Sequence, residues 1–124
     1  RTSIVGPSLI KNTLFDEVLS KKKIIGYTNY IFNGVTNLEL SNKIISIISN
    51  KKFFFGTIHV SGEKISKYNL IKKIKNHYKL DIQINKKTYF PIKRILKSYY
   101  LQKYYKLNVN NWDKMILDLK NYDF

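Results

Sequence analysis

The sequence predicts an α/β fold of short strands and about four helices, on three observations. Apolar residues recur with period two in some stretches and period 3.6 in others, and the two periods alternate along the chain. Helix-start signals stand at two of those changes, Thr36–Glu39 and Ser66. The length of 124 residues, with 44% hydrophobic and 25% charged residues, is that of one globular domain.

Thr2–Gly6 is a short β-like run around Ile4-Val5, closed by the turn signal Gly6-Pro7. Leu9 to Leu19 carries Leu14, Phe15, Val18 and Leu19 at helical spacing. Ile24–Tyr27 and Tyr30–Phe32 read as short strands around Thr28-Asn29. Thr36-Asn37-Leu38-Glu39 fits a capping box, the Thr36 hydroxyl taking an amide of the first turn and Glu39 reaching back. The helix behind it runs to about Ser49 with Leu38, Leu40, Ile44, Ile45, Ile47 and Ile48. That is more than one apolar stripe, so deep burial is expected.

Gly56–Val60 has the pattern of a strand. Ser66 then caps a helix with Tyr68, Leu70, Ile71, Ile74 and Tyr78 inward and Lys67, Lys72, Lys73 and Lys75 outward. Asp81–Ile84 alternates as a short edge-like strand. After Pro91 a Tyr- and Lys-rich stretch leads to a last helix, Asn111–Leu119, with Trp112, Met115, Ile116 and Leu119 on one face. There is neither an internal repeat nor a linker.

Composition removes several classes of function. With no cysteine there is no disulfide framework, no thiolate nucleophile and no Cys-ligated metal. The apolar run Phe53–Phe55 is far short of the roughly 20 residues a membrane span needs. No secretory signal is visible, and a cytoplasmic location is expected. Twenty-three Lys+Arg against eight Asp+Glu give a net charge of +15, which raises nucleic acid as a partner. Only Arg1 and Arg94 are arginine, however, and Lys, Ile, Asn and Tyr are the residues of A/T-rich codons. A compositional bias therefore explains the excess without a ligand, and the guanidinium fork of specific recognition is nearly absent.

Few residues offer chemistry of their own. His59 sits between two apolar residues and reads as structural; His77 falls on the lysine-rich side of its helix and reads as solvated. Two histidines at unrelated spacing make no metal site. Asp16 and Glu17 are adjacent and point apart, unsuited to a carboxylate pair. The glycines at 6, 26, 34, 56 and 62 form no phosphate loop. Three Tyr-x-x-x-Lys pairs, Tyr68/Lys72, Tyr89/Lys93 and Tyr99/Lys103, are about what chance supplies in so Tyr- and Lys-rich a chain, and none is read as catalytic. Lys97–Lys106 interleaves tyrosines with lysines. It reads as packing with snorkelling lysines rather than as a base-stacking platform.

The order of several longer stretches carries more. Arg1–Gly6, Gly26–Thr36, Leu38-Glu39-Leu40, Gly56–Ser61, Ile65–Leu70 and Asn111–Ile116 together resemble the C-terminal portion of the extended short-chain dehydrogenases/reductases. Within them the chain is most similar to sugar-nucleotide reductases of the dTDP-4-dehydrorhamnose reductase type. The resemblance implies the last part of a Rossmann-like fold plus the small C-terminal substrate-binding subdomain, covering residues 1–124. A Rossmann half with the Gly-rich turn and the catalytic Tyr and Lys would precede Arg1.

The intact parent would then bind NAD or NADP. This portion alone would bind no cofactor, would carry no catalytic residue, and would expose apolar surface where the other half packs. For the substrate, a nucleotide-sugar, the resemblance implies that Gly6, Pro7 and Ser8 border the sugar, that Asn29 lies near the nucleotide, and that Arg94 faces the diphosphate. Lys97 departs from the pattern, which usually has an acid there. Two other readings stand beside this one: a small lysine-rich binding module for nucleic acid, and a degenerate relative kept as a scaffold.

Overall fold

In the computed structural model of the chain, residues 1–10 and 12–122 are described. The elements run β1 (Ile4–Val5), α1 (Leu14–Ser20), β2 (Lys23–Tyr27), β3 (Tyr30–Phe32), β4 (Val35–Thr36), α2 (Asn37–Ser49), β5 (Ile65–Ser66), α3 (Lys67–Tyr78), β6 (Gln83–Lys87), β7 (Ile92–Arg94), α4 (Tyr99–Lys103) and α5 (Trp112–Asn121). The strands form three small sheets: β1–β4 parallel, β2–β6 parallel, and β5–β3–β7 with β3 antiparallel to β5 and parallel to β7.

The helices start where side chains satisfy their first amides. Thr36, Ser66 and Asn111 accept from the amides of Glu39, Asn69 and Lys114 at 3.2, 3.1 and 2.9 Å. The core gathers where α3 and α5 pack. Leu70, Ile71 and Ile74 meet Trp112, Met115, Ile116 and Leu119, and Phe15 and Val18 of α1 join them. Phe32 meets Trp112 edge-on at 5.9 Å and Phe15 meets Tyr78 at 5.6 Å.

The α/β class with about four helices holds: the described residues form five, the additional one being the short Tyr99–Lys103 inside the Tyr- and Lys-rich stretch. Several expectations are corrected. The helix expected from Leu9 starts at Leu14, because Thr13 and Asp16 form a capping box there; Lys11 lies outside the described residues. The box expected at Thr36 is half made. Glu39 turns away, accepting from the amide of Asn110 at 2.9 Å and pairing with Lys43 at 3.2 Å.

The edge strand near Asp81–Ile84 lies slightly later, at Gln83–Lys87, because its register with β2 sets its limits. Gly56–Val60 is not a strand. Its pairing comes from Arg1, which donates its N-terminal nitrogen to the Ile58 carbonyl at 2.6 Å and accepts from the Val60 amide at 3.0 Å. A strand needs a neighbour along several residues, and among the described residues Arg1 alone makes these two bonds. His59 accordingly sits in extended, unassigned chain. Finally, α2 is not deeply buried. Leu38, Leu40 and Ile47 pack on the core, while Ile44, Ile45 and Ile48 are 46, 61 and 71% exposed, since the described residues leave the second stripe largely uncovered.

Candidate functional site

Strand alternation puts Tyr30 and Phe32 on the same side of β3. The parallel register sets Arg94, the last residue of β7, beside Phe32. Antiparallel pairing with β5 brings the start of α3 alongside, so that Lys67 follows the Ser66 cap directly at Ile31's level. These three elements converge on one ring. The Lys67 ammonium stands 4.1 Å from the Tyr30 ring centroid and the Arg94 guanidinium carbon 5.8 Å from it.

The ring lies between two hollows that share it as a wall. One, of about 200 Å³, is walled by Ser3, Val5, Leu14 and Phe32; the other, of about 210 Å³, by Tyr27, Asn29, Tyr89, Phe90 and Ile92. Tyr30 and Lys67 belong to both walls, and neither hollow is lined by an acid. Among the described residues, no ion pair involves Lys67 or Arg94. Lys67 also opposes the partial positive charge of its own helix terminus. Helices α1, α2 and α5 each carry an acid in the first turn, whereas α3 carries none. Two free cations beside an uncompensated helix start make a place where an anionic group gains charge-assisted hydrogen bonds.

Of the residues singled out from the sequence, Arg94 and Asn29 line this cleft. Gly6, Pro7 and Ser8 are not on its walls, although their neighbour Val5 is. Gly6 is fixed by close approach: a Cβ there would come within 2.5 Å of the Asn37 Oδ1 atom, and its carbonyl accepts from Thr13 Oγ1 at 2.9 Å. Ser8 Oγ accepts from the Ile10 amide at 3.3 Å.

The side chain of Asn29 is occupied. Its Oδ1 accepts from the Tyr89 amide at 3.0 Å and its Nδ2 donates to the Tyr89 carbonyl. Asn33 does the same for Leu96 at the other end of β3, at 2.9 and 2.7 Å. Two asparagines thus tie both flanks of β7 to β3. Lys67 and Tyr30 were not singled out as site residues. A lysine in the first turn of a helix without an acid there is the signal that would have found Lys67.

The remaining candidates lie elsewhere. Lys103 Nζ donates to the Tyr99 hydroxyl at 2.6 Å, which raises the lysine's pKa, on the outer face of α4 and away from either hollow. His77 is not merely solvated: its Nε2 faces Asp113 Oδ1 at 3.0 Å. A larger hollow, about 600 Å³, contains Lys64, Lys72 and Lys73, but Glu63 also lines it and Lys73 is paired with Asp113. Among the described residues, no three His, Asp or Glu side chains could hold a metal ion, and no helix is long and apolar enough to cross a membrane.

No family model and no curated protein matches the chain. Solved structures do. A dTDP-4-dehydrorhamnose reductase from Bacillus anthracis, in complex with NADP, superposes with a TM-score of 0.75 at 17% identity, over 94% of this chain and 44% of that one. The fold is that of the C-terminal part of such a reductase. A second, from Clostridium acetobutylicum, gives 0.71 at 14% identity over 95% and 45%. A UDP-N-acetylglucosamine 4-epimerase from Bacillus cereus gives 0.66 at 12% identity over 99% and 45%. The chain therefore spans less than half the length of these neighbours, and the likeness is one of fold.

Proposed function

We propose that this chain is the substrate-binding portion of an NAD(P)-dependent sugar-nucleotide reductase or epimerase, and that it holds the diphosphate of a nucleotide-sugar between Lys67 and Arg94. The observation that carries this reading is the pair of unpaired cations on the Tyr30 ring, in a cleft without an acid. The fold neighbours are reductases and epimerases whose names state sugar-nucleotide substrates, which supports the same class.

In the intact enzyme a nicotinamide cofactor, bound by a preceding Rossmann half, supplies the hydride exchanged at a sugar carbon. The residues of this chain bind and orient. The guanidinium of Arg94 presents two parallel donors to a phosphate, and Lys67 adds a point charge. Gly6, Pro7 and Ser8, which follow Val5 just outside the cleft wall, border the sugar. Asn29 acts on the nucleotide side through the Tyr89 loop it holds. A cytoplasmic location, where nicotinamide cofactors and nucleotide-sugars are both supplied, goes with this reading, and its partner is a nucleotide-sugar rather than a membrane.

The test is calorimetric titration of the chain with inorganic pyrophosphate, UDP and dTDP, repeated with Arg94→Ala and Lys67→Ala. Each substitution should weaken diphosphate binding about tenfold or more, as expected for loss of a charge-assisted hydrogen bond. Binding that ignores both substitutions overturns the assignment. Affinity for single-stranded DNA that falls with salt at a log–log slope of about −0.7 per phosphate contact would instead favour the basic nucleic-acid module.

A further inference from the structure

The β5–β3–β7 sheet has a second face, and the cleft does not use it. Tyr30, Phe32 and Arg94 turn toward the cleft. Ile31 therefore turns the other way, and its register partners Ser66 and Lys93 turn with it. On that side lies the hollow of about 600 Å³, which Thr28, Ile31 and Ile65 line from the sheet. Helix α3 lines it with one stripe. Asn69, Lys72, Lys73 and Asn76 stand at i, i+3, i+4 and i+7, about 10 Å from end to end at the helical rise. Lys64, just before β5, lines it too.

The donors of this hollow are largely unspent. Lys73 is neutralised by Asp113, but among the described residues neither Lys64 nor Lys72 has an ion pair. Glu63 lines the hollow as well, and it pairs with neither of them. The carboxamides of Asn29 and Asn33 are spent on backbone, whereas those of Asn69 and Asn76 have no protein partner among the described residues.

We propose that this hollow is a second anion site, which takes the phosphate group of a small phosphorylated molecule. Ammonium and carboxamide groups donate from several directions, which suits the several acceptor oxygens of a phosphate. No guanidinium lines the hollow to favour a planar carboxylate. Its volume exceeds what a bare phosphate fills, and Ile31 and Ile65 offer apolar surface to the rest of the ligand. The net charge of +15 draws anions to this face as it does elsewhere. The site stands apart from the diphosphate reading, because Lys67 and Arg94 line the cleft and not this hollow.

The test uses the 124-residue chain with Lys67→Ala and Arg94→Ala, so that the cleft no longer competes. It is titrated with glycerol phosphate and with inorganic phosphate at constant ionic strength and followed in heteronuclear amide spectra. The indole N–H of Trp112, the chain's one tryptophan, donates to the Glu63 carbonyl at 2.9 Å in the hollow's wall. That resonance should shift to saturation together with the side-chain amides of Asn69 and Asn76, while the side-chain amide of Asn29 stays in place. Lys64→Gln and Lys72→Gln should each weaken binding about tenfold, as for loss of a charge-assisted hydrogen bond. Glu63→Gln should tighten it by removing an opposing charge, a gain that misfolding cannot mimic. Equal affinity for the two ligands would overturn the phosphorylated molecule as the ligand. Shifts that do not saturate, that spread evenly over the chain's lysines, or that ignore Lys64→Gln and Lys72→Gln overturn the site.

Discussion

Helices α2 and α3 begin alike and end in different surroundings. Each follows a two-residue strand whose last residue is its cap, Thr36 for one and Ser66 for the other, and they run 13 and 12 residues. By sequence α2 is the more apolar of the two, yet α3 is the buried one. Leu70, Ile71 and Ile74 of α3 are fully covered by this chain, whereas Ile44, Ile45 and Ile48 of α2 face outward. The difference teaches that apolar content states how much surface a helix has to cover, not whether this stretch of chain covers it. Phe53 and Phe55, 73 and 88% exposed, continue the bare region just beyond α2.

The contrast is most sharply tested by matched truncations. Leu70→Ala in α3 should cost about 2–5 kcal/mol, the range for emptying a packed core position. Ile48→Ala in α2 should stay within about 0.5 kcal/mol, as for a surface change. Urea unfolding of the two variants beside wild type reads both numbers. A large cost at Ile48 would mean that its stripe is covered after all, by a second copy or by its own chain.

A smaller effect separates what α2 does bury. Its one fully buried side chain is Glu39, whose carboxylate accepts from the amide and side chain of Asn110 at 2.9 and 3.1 Å and pairs with Lys43 at 3.2 Å. Hydrogen bonds to a charged group contribute about 1.5–3 kcal/mol, and Glu39→Gln should lose an amount in that range. The Gln amide would turn a donor toward Asn110, which already offers two. Unfolding midpoints of Glu39→Gln and Glu39→Ala check this. Equal stability of wild type and Glu39→Gln would show that α2 is held by its inner apolar stripe alone.

These cases show why some of the molecule was legible in the sequence and some was not. The caps Thr36 and Ser66 and the buried face of α5 are short-range patterns: the residue that caps and the amide it caps are three positions apart, as they also are at Asn111, which reads as the first helical residue and is the cap. Asp16 belongs to the same class. Read only as half of an unsuitable acid pair, it is in fact the other half of a capping box with Thr13.

The cleft is different. Asn29 and Asn33 hold partners 60 and 63 residues away, and Tyr30 meets Arg94 only because β3 and β7 pair in one register. No local period encodes that meeting, so Lys67 read as an outward lysine and Tyr30 as a strand residue. Arg94 was found through its chemistry and the resemblance. Gly56–Val60 has the right pattern for a strand, but a pattern does not supply the partner: among the described residues it pairs through Arg1 alone.

The smallest expected effect concerns how α3 and α5 are joined at their rim. Lys73 Nζ stands 2.5 Å from Asp113 Oδ2 and His77 Nε2 3.0 Å from Oδ1. The Lys73 ammonium first, and His77 second, hold the Asp113 carboxyl below its ordinary value of 3.8. A carboxyl whose folded pKa is depressed stabilises the fold fully above the unfolded pKa and loses that contribution as pH falls through the folded value. Asp113 is 56% exposed, so solvent and salt screen the pair and the effect is modest. Urea midpoints of wild type and Asp113→Asn, followed from pH 7 downward, should differ by a constant amount above about pH 4 and converge below it. The gap should also narrow on adding salt, whereas the cost of Leu70→Ala should not. A gap that closed nearer neutrality would put the titrating group elsewhere and leave α3 and α5 joined by their apolar faces alone.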